Sequence, residues 1–263
     1  MILIRSTLFN VAFYANTIVR LIFMLPLLFT KDSAATLRAA KAWSRSSIWL
    51  QKTIVGTHIE IEGLEKLPKD GCIIAAQHQS FWDVFAFLDD IDSPVFIFKK
   101  ELLDIPLFGQ YIMLAEMIPV DRSAKGTAMA SVLEGARREI QQNQRQLFIF
   151  PEGTRRPVGA GLEYKFGVGR IYHDINVPIV PIALVSGLFW PRHSFLRQPG
   201  YFKARVLDPI EPGLTIEDAM KELVGKTEAA YNELLIEAVN KNPKLQLTDL
   251  VKERIEQIQN NDL

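Results

Sequence analysis

A chain of 263 residues, 48% of them hydrophobic, is long enough to bury one sizeable core, and neither an internal repeat nor a low-complexity linker divides it. A single cysteine, Cys72, excludes an intrachain disulfide, and scattered histidines at 58, 78, 173 and 193 argue against any metal site. The formal net charge is zero, but residues 1–55 hold seven Lys or Arg against one acid, while the remainder is net acidic; this argues against nucleic acid as a partner and calls for an anionic surface beside the N-terminal segment.

Residues 1–30 are apolar except for Arg5 and Arg20, with Pro26 near the end. A clean membrane span wants about 20 uninterrupted apolar residues, and Arg20 cuts the run, so a partly inserted or tilted helix is expected. No small-residue cleavage pattern follows in "FTKDSAATLRAA". Asp32 and Ser33 offer caps for a second helix, in which Arg38, Lys41, Arg45 and Lys52 share a stripe of roughly 60° opposite Trp43, Leu50 and Ile54. The pattern predicts an interfacial helix whose basic stripe meets lipid headgroups. Residues 1–55 thus read as a two-helix membrane-binding element, and 56–263 as the body.

From residue 57 the periodicity changes. "THIEIEG", "GCIIAAQ", "SPVFIFKK", "EMIPVD", "RQLFIFPEG", "VPIVPIALVSG" and "FKARVLDPI" read as strands. Helical stretches are expected over 81–90, within 101–115 and over 126–144, where Met129, Val132, Leu133, Ala136 and Ile140 recur at helical spacing. Strands alternating with helices predict an α/β fold: a layered, mixed, largely parallel sheet flanked by helices. Prolines 178 and 181 place "VPIVPIALVSG" at a strand start or an irregular edge, walling an apolar channel. Thr215 is expected to cap a helix through about Val239, and a polar helix or frayed tail closes the chain.

Three apolar runs end in polar clusters. In "IIAAQHQSFWD", a strand delivers His78 to its carboxyl end and Asp83 falls in the first turn of the next helix. From there Asp83 can orient one ring nitrogen of His78 and leave the other free as a general base, or simply accept a backbone N–H in a Ser80-to-Asp83 capping pattern; the two roles are compatible. "MIPVDR" contributes Asp121 and Arg122. "LFIFPEGTRR" brings Glu152, Gly153, Thr154 and Arg155 into a turn where an arginine can grip a phosphate, and Lys99 and Lys100 end "VFIFKK".

The set H-x4-D, then D-R, then F-P-E-G-T-R, then V-P-I-V-P-I, in this order over residues 57–209, resembles the glycerolipid acyltransferase family. The resemblance implies direct transfer of a fatty acyl group from a thioester, acyl-CoA or acyl-carrier protein, to the sn-2 hydroxyl of lysophosphatidic acid, with no other cofactor and no metal. His78 would be the base and Asp83 its orienting partner. Arg122 and Arg155 would hold the acceptor phosphate with Lys99 and Lys100, Glu152, Gly153 and Thr154 would shape that loop, and backbone N–H groups after Ser80 would receive the oxyanion. It also implies a membrane-associated enzyme of the bacterial inner membrane facing the cytoplasm. Gln77 stands where many members carry Asn, and "AEMIPVDR" lacks a Gly common at its start. Relatives with the same motifs acylate lyso-ornithine lipid or lysocardiolipin, so those acceptors stay open. A membrane-bound thioesterase or lipase using Ser80 or Ser186 is the other class, although no G-x-S-x-G elbow is present.

Overall fold

The structure, a computed structural model, describes residues 1–121, 123–124 and 127–260. Helices α1 (Ile2–Phe23), α2 (Leu25–Thr30) and α3 (Ser33–Leu50) come first, and Asp32 caps α3 by accepting the Ala35 N–H at 2.8 Å. The body then runs β1 (Thr57–Glu62), β2 (Cys72–Ala76), α4 (Asp83–Ala86), β3 (Pro94–Lys99), α5 (Phe108–Leu114), β4 (Ile118–Val120), α6 (Ala128–Arg137), β5 (Gln146–Ile149), α7 (Gly167–Ile175), β6 (Ile179–Leu184), β7 (Gly200–Val206), α8 (Ile216–Lys241) and α9 (Asp249–Gln259). Each of the seven expected strands is present. The helix expected over 81–90 is confined to α4, and α7 falls where no helix was expected.

The strands form one sheet in the order β1-β7-β6-β2-β5-β3-β4. From β6 to β4 all neighbours are parallel, whereas β7 runs antiparallel to β6 and carries β1 parallel to itself. The sheet is therefore mixed and largely parallel, as its alternation with helices predicts. All five residues of β2 are buried, because successive side chains point to opposite faces and both faces are covered. Ile73 and Ala75 join a core with α6, α7 and the start of α8, while Cys72, Ile74 and Ala76 join a larger one with the rest of α8 and the N-terminal helices. The carboxyl ends of the five parallel strands meet along one edge of the sheet, the usual place for a site in such folds.

β6 is not an edge. It lies between β7 and β2, with Pro181 opposite Ala75 in the parallel ladder. The proline is accommodated because its missing N–H faces the β7 side, where the antiparallel ladder begins only at Ile182; its carbonyl accepts there from Leu207 N at 2.9 Å.

The N-terminal element is fastened to this body along its length. Phe9 and Phe13 of α1 are buried in the larger core against Trp190 and Phe85, Trp43 donates to Thr17 Oγ1 at 2.9 Å, and Tyr111 donates to Leu21 O at 2.8 Å. The basic stripe of α3 divides. Lys41 donates to the carbonyls of Ile91 and Asp92 at 2.6 and 3.0 Å, and Arg45 pairs with Asp89, because the turn after α4 is acidic; Arg38 and Lys52 stay exposed. On the outer face of α1, opposite Phe9 and Phe13, Ile4, Leu8, Val11, Ile18 and Ile22 are exposed.

Twenty-two residues reach about 33 Å, and this helix is long and apolar enough to cross a membrane. With its inner face bound, the outer face is what an acyl-chain boundary can cover. Aspartates at Leu8, Val11 and Ile18 are expected to release the protein from phosphatidylethanolamine/phosphatidylglycerol vesicles in a flotation assay while leaving its melting temperature unchanged. Undiminished flotation would show that this face is not the contact.

Candidate active site

The turn joining β2 to α4 carries His78 and Asp83 five residues apart, and the local hydrogen bonds determine where each points. Ser80 Oγ accepts the Trp82 N–H at 3.1 Å, while Asp83 Oδ2 reaches back to the N–H groups of Ser80 and Gln79 at 2.8 and 2.7 Å. The same oxygen lies 3.1 Å from His78 Nδ1. A carboxylate oxygen collecting N–H groups is an acceptor, so Nδ1 is the donor, and in the neutral ring this tautomer leaves the lone pair on Nε2. Capping and orientation are thus performed by one side chain. The Gln79, Ser80 and Trp82 N–H groups are spent inside the turn, so of the N–H groups after Ser80 that of Trp82 is already engaged.

The β5 loop grips the same histidine. His78 N donates to Glu152 Oε2 at 2.6 Å, His78 O accepts from Arg156 N at 2.7 Å, and the imidazole stacks on Phe150 with centroids 4.0 Å apart. Glu152 therefore points inward onto the histidine backbone, whereas the resemblance placed it in a phosphate loop. Thr154 is exposed beside it, and Gly153 adopts a left-handed conformation at φ +67°, where a Cβ would come 2.9 Å from Lys165 Nζ. Lys165 thus lies over the turn through which Arg155 passes, and an open cleft is lined by Glu152, Thr154, Arg156, Tyr164 and Lys165. Arg156 is paired with Glu163 at 2.5 Å, while Arg155 makes no ion pair among the described residues.

Lys99 and Lys100 sit at the carboxyl end of β3 on this edge, exposed and paired with Glu101 at 3.0 Å and Asp121 at 3.3 Å. Neither contacts the β5 loop among the described ion pairs and hydrogen bonds. Arg122 lies outside the described residues.

Several contributors are not singled out by motif spacing. Phe150 is the stacking partner of His78. Gln77 Oε1 accepts from Leu184 N at 2.9 Å, Gln79 Oε1 accepts from Gly187 N at 3.2 Å, and Ser186 Oγ donates to Asp83 Oδ1 at 2.5 Å. Two amides flanking a histidine at the end of an apolar strand were the available signal, since buried amides need partners. Among the described residues no group of three His, Cys, Asp or Glu is placed to hold a metal.

A family model described as Acyltransferase matches residues 58–185, the segment that holds this turn and both strand-end loops. The 1-acyl-sn-glycerol-3-phosphate acyltransferase of Pseudomonas aeruginosa is 32% identical over 200 residues, covering 74% of this chain and 76% of that protein. The protein of the same name from Cocos nucifera is 34% identical over 187 residues, covering 70% of this chain and 60% of that one. Among solved structures, the 1-acyl-sn-glycerophosphate (LPA) acyltransferase of Thermotoga maritima shares the fold, with a TM-score of 0.74 over 89% of this chain and 98% of that one, at 24% identity.

Burial pushes the Glu152 carboxyl from its ordinary 4.5 up to about 7; the His78 N–H opposes that rise and the Asp83 charge adds to it. The folded chain then holds a proton that the unfolded chain releases. The stability this supplies is complete below about 4.5 and is lost as pH rises through about 7. Glu152→Gln, which keeps an acceptor for the His78 N–H, should remove that loss. The melting temperature of the variant is expected to gain on wild type between about pH 5 and about pH 8, and a constant difference would mean that the Glu152 proton does not matter.

Proposed function

The chain belongs to the acyltransferase family, and we propose that it transfers a fatty acyl group to the sn-2 hydroxyl of 1-acyl-sn-glycerol 3-phosphate, giving phosphatidic acid. The observation that carries the mechanism is the His78–Asp83 pair with Nε2 left free. His78 takes the acceptor hydroxyl proton as the oxygen attacks the carbonyl carbon of an acyl thioester, acyl-CoA or acyl-carrier protein. A tetrahedral intermediate forms, the C–S bond breaks, and the imidazolium returns its proton to the departing thiolate. Asp83 keeps the ring in one tautomer and balances its charge while it is protonated.

Direct transfer is favoured over a serine hydrolase because neither candidate nucleophile meets the histidine. Ser80 Oγ accepts from Trp82 N, and Ser186 Oγ donates to Asp83. For the acceptor phosphate, Arg155 and Lys165 beside Gly153 supply positive charge at the site, with Lys99 and Lys100 further along the same strand edge. Phe81 supports a lipid substrate. It is three residues from His78, partly exposed, and packed on Phe13 of the inner face of α1, so the reactive turn presents an apolar ring and is fastened to the helix whose outer face is assigned to lipid. With the basic excess of residues 1–55, this fits a protein working at an anionic bilayer face, which we assign to the cytoplasmic side of a bacterial inner membrane.

The test is a panel of lysolipids, including lyso-ornithine lipid and lysocardiolipin, offered with radiolabelled acyl-CoA and acyl-carrier protein to the full chain in vesicles. Labelled phosphatidic acid is the expected product; another acylated lysolipid would reassign the acceptor, and free fatty acid alone would make the protein a hydrolase. His78→Ala is expected to lower kcat by about 10²–10⁴-fold, and a variant with near-normal turnover would eliminate His78 as the base. Arg155→Ala should raise the acceptor KM about tenfold with a smaller change in kcat, whereas an unaltered acceptor dependence would remove it from the phosphate site.

A further inference from the structure

The mechanism above uses Ser186 only as a nucleophile that is excluded. Yet its side chain is 1% exposed and its hydroxyl donates to Asp83 Oδ1 at 2.5 Å. The other carboxylate oxygen, Oδ2, receives His78 Nδ1 and two backbone N–H groups. We propose that Ser186 is a positioning residue for acyl transfer: its hydroxyl stops the Asp83 carboxylate from pivoting about Oδ2 and so keeps that oxygen in line with His78 Nδ1. The role rests on the acyl-transfer reading given under Proposed function.

The terminal torsion of an aspartate is broad, so donors on one oxygen alone leave the carboxylate free to swing. A donor on the second oxygen removes that freedom, provided the donor is itself held. Ser186 is held. It begins the turn after β6, and its carbonyl accepts from Phe189 N at 3.0 Å and Trp190 N at 2.9 Å. The next residue, Gly187, lets this turn press against the one carrying His78, since a Cβ there would lie 2.6 Å from Val158 Cγ2 and 3.0 Å from Gln79 Cβ. Gly187 N also donates to Gln79 Oε1, and Leu184 N to Gln77 Oε1. The carboxyl end of β6 is thus a template for the turn from Gln77 to Asp83, and the Ser186 hydroxyl is the part of it that touches the charge. Removing that hydroxyl also leaves Oδ1 without its donor in a buried place.

The experiment measures steady-state kinetics of the full chain in vesicles, with 1-acyl-sn-glycerol 3-phosphate and the acyl thioester that wild type uses. Ser186→Ala is expected to lower kcat about tenfold or more and to leave both KM values within about twofold, the signature of an interaction felt in the transition state. Ser186→Thr should recover most of kcat because it keeps the hydroxyl, and Ser186→Cys, a weaker donor of similar shape, should fall between Ala and wild type. A merely structural serine would lower the melting temperature and the active fraction without this ordering by donor strength. Wild-type kcat in folded Ser186→Ala overturns the role, as does a loss that neither Thr nor Cys recovers or one confined to KM. A wild type that transfers no acyl group overturns the proposed function, and this role with it; a wild type that turns over beside an unaffected Ser186→Ala defeats this inference alone.

Discussion

Everything at the sheet edge turns on keeping one buried carboxylate in place. Asp83 is fully buried, and among the described residues its ion-pair partner is a histidine rather than a Lys or Arg. An ionised carboxylate left dry and unsatisfied is strongly unfavourable, so its four donors are a requirement of the fold. They come from two segments: the Gln79 and Ser80 backbone with the His78 ring, and Ser186 at the end of β6. For all four to converge, β2 and β6 must be neighbours in parallel register, as they are from Ile73–Ile179 to Ala76–Ile182. The β5 loop then closes on the far side by clamping the backbone N–H and C=O of His78. The reactive side chain is therefore held by three adjacent strands, and little is left to its own rotamer freedom.

The same economy applies to the N-terminal helices. An apolar stretch rich in exposed Leu, Ile and Val would be a liability on a free protein surface, and its opposite face is part of the core. Phe13 touches Phe81 and Phe85, which lie on either side of Asp83 in sequence, and Phe85 touches Trp43 of α3. Helix α1, whose outer face is apolar and exposed, and the turn carrying His78 and Asp83 are thus packed on one aromatic cluster.

Local chemistry in the sequence accounts for much of what is seen. Alternation and short apolar runs locate each strand, Asp32 and Thr215 cap the helices they precede, and the five-residue spacing of His78 and Asp83 makes them a candidate pair that the polar clusters at the other strand ends favour. Two features depart from the local pattern for physical reasons. Helix α7 is not marked in the sequence because Gly167 and Gly169 break its pattern, although Val168, Ile171, Tyr172 and Ile175 are all buried along one face. Prolines 178 and 181 point to a strand start or an irregular edge: Pro178 stands just before β6, whereas Pro181 lies inside it, because a proline's missing donor is visible in sequence while the direction it faces is not.

By itself, then, the sequence determined elements, caps, the order of the strand-end motifs and the histidine–aspartate pair, because each is written in residues within a few positions of one another. The tertiary structure alone decided the inward aim of Glu152, the ring of Phe150 against His78, the sharing of Lys41 and Arg45 with the acidic turn, and the bond from Ser186 to Asp83. These contacts join residues 44 to 103 positions apart. Periodicity records how much of a side chain is buried. It carries no information on which distant donor will meet it, and that depends on strand order, register and the side of the strand to which each group points.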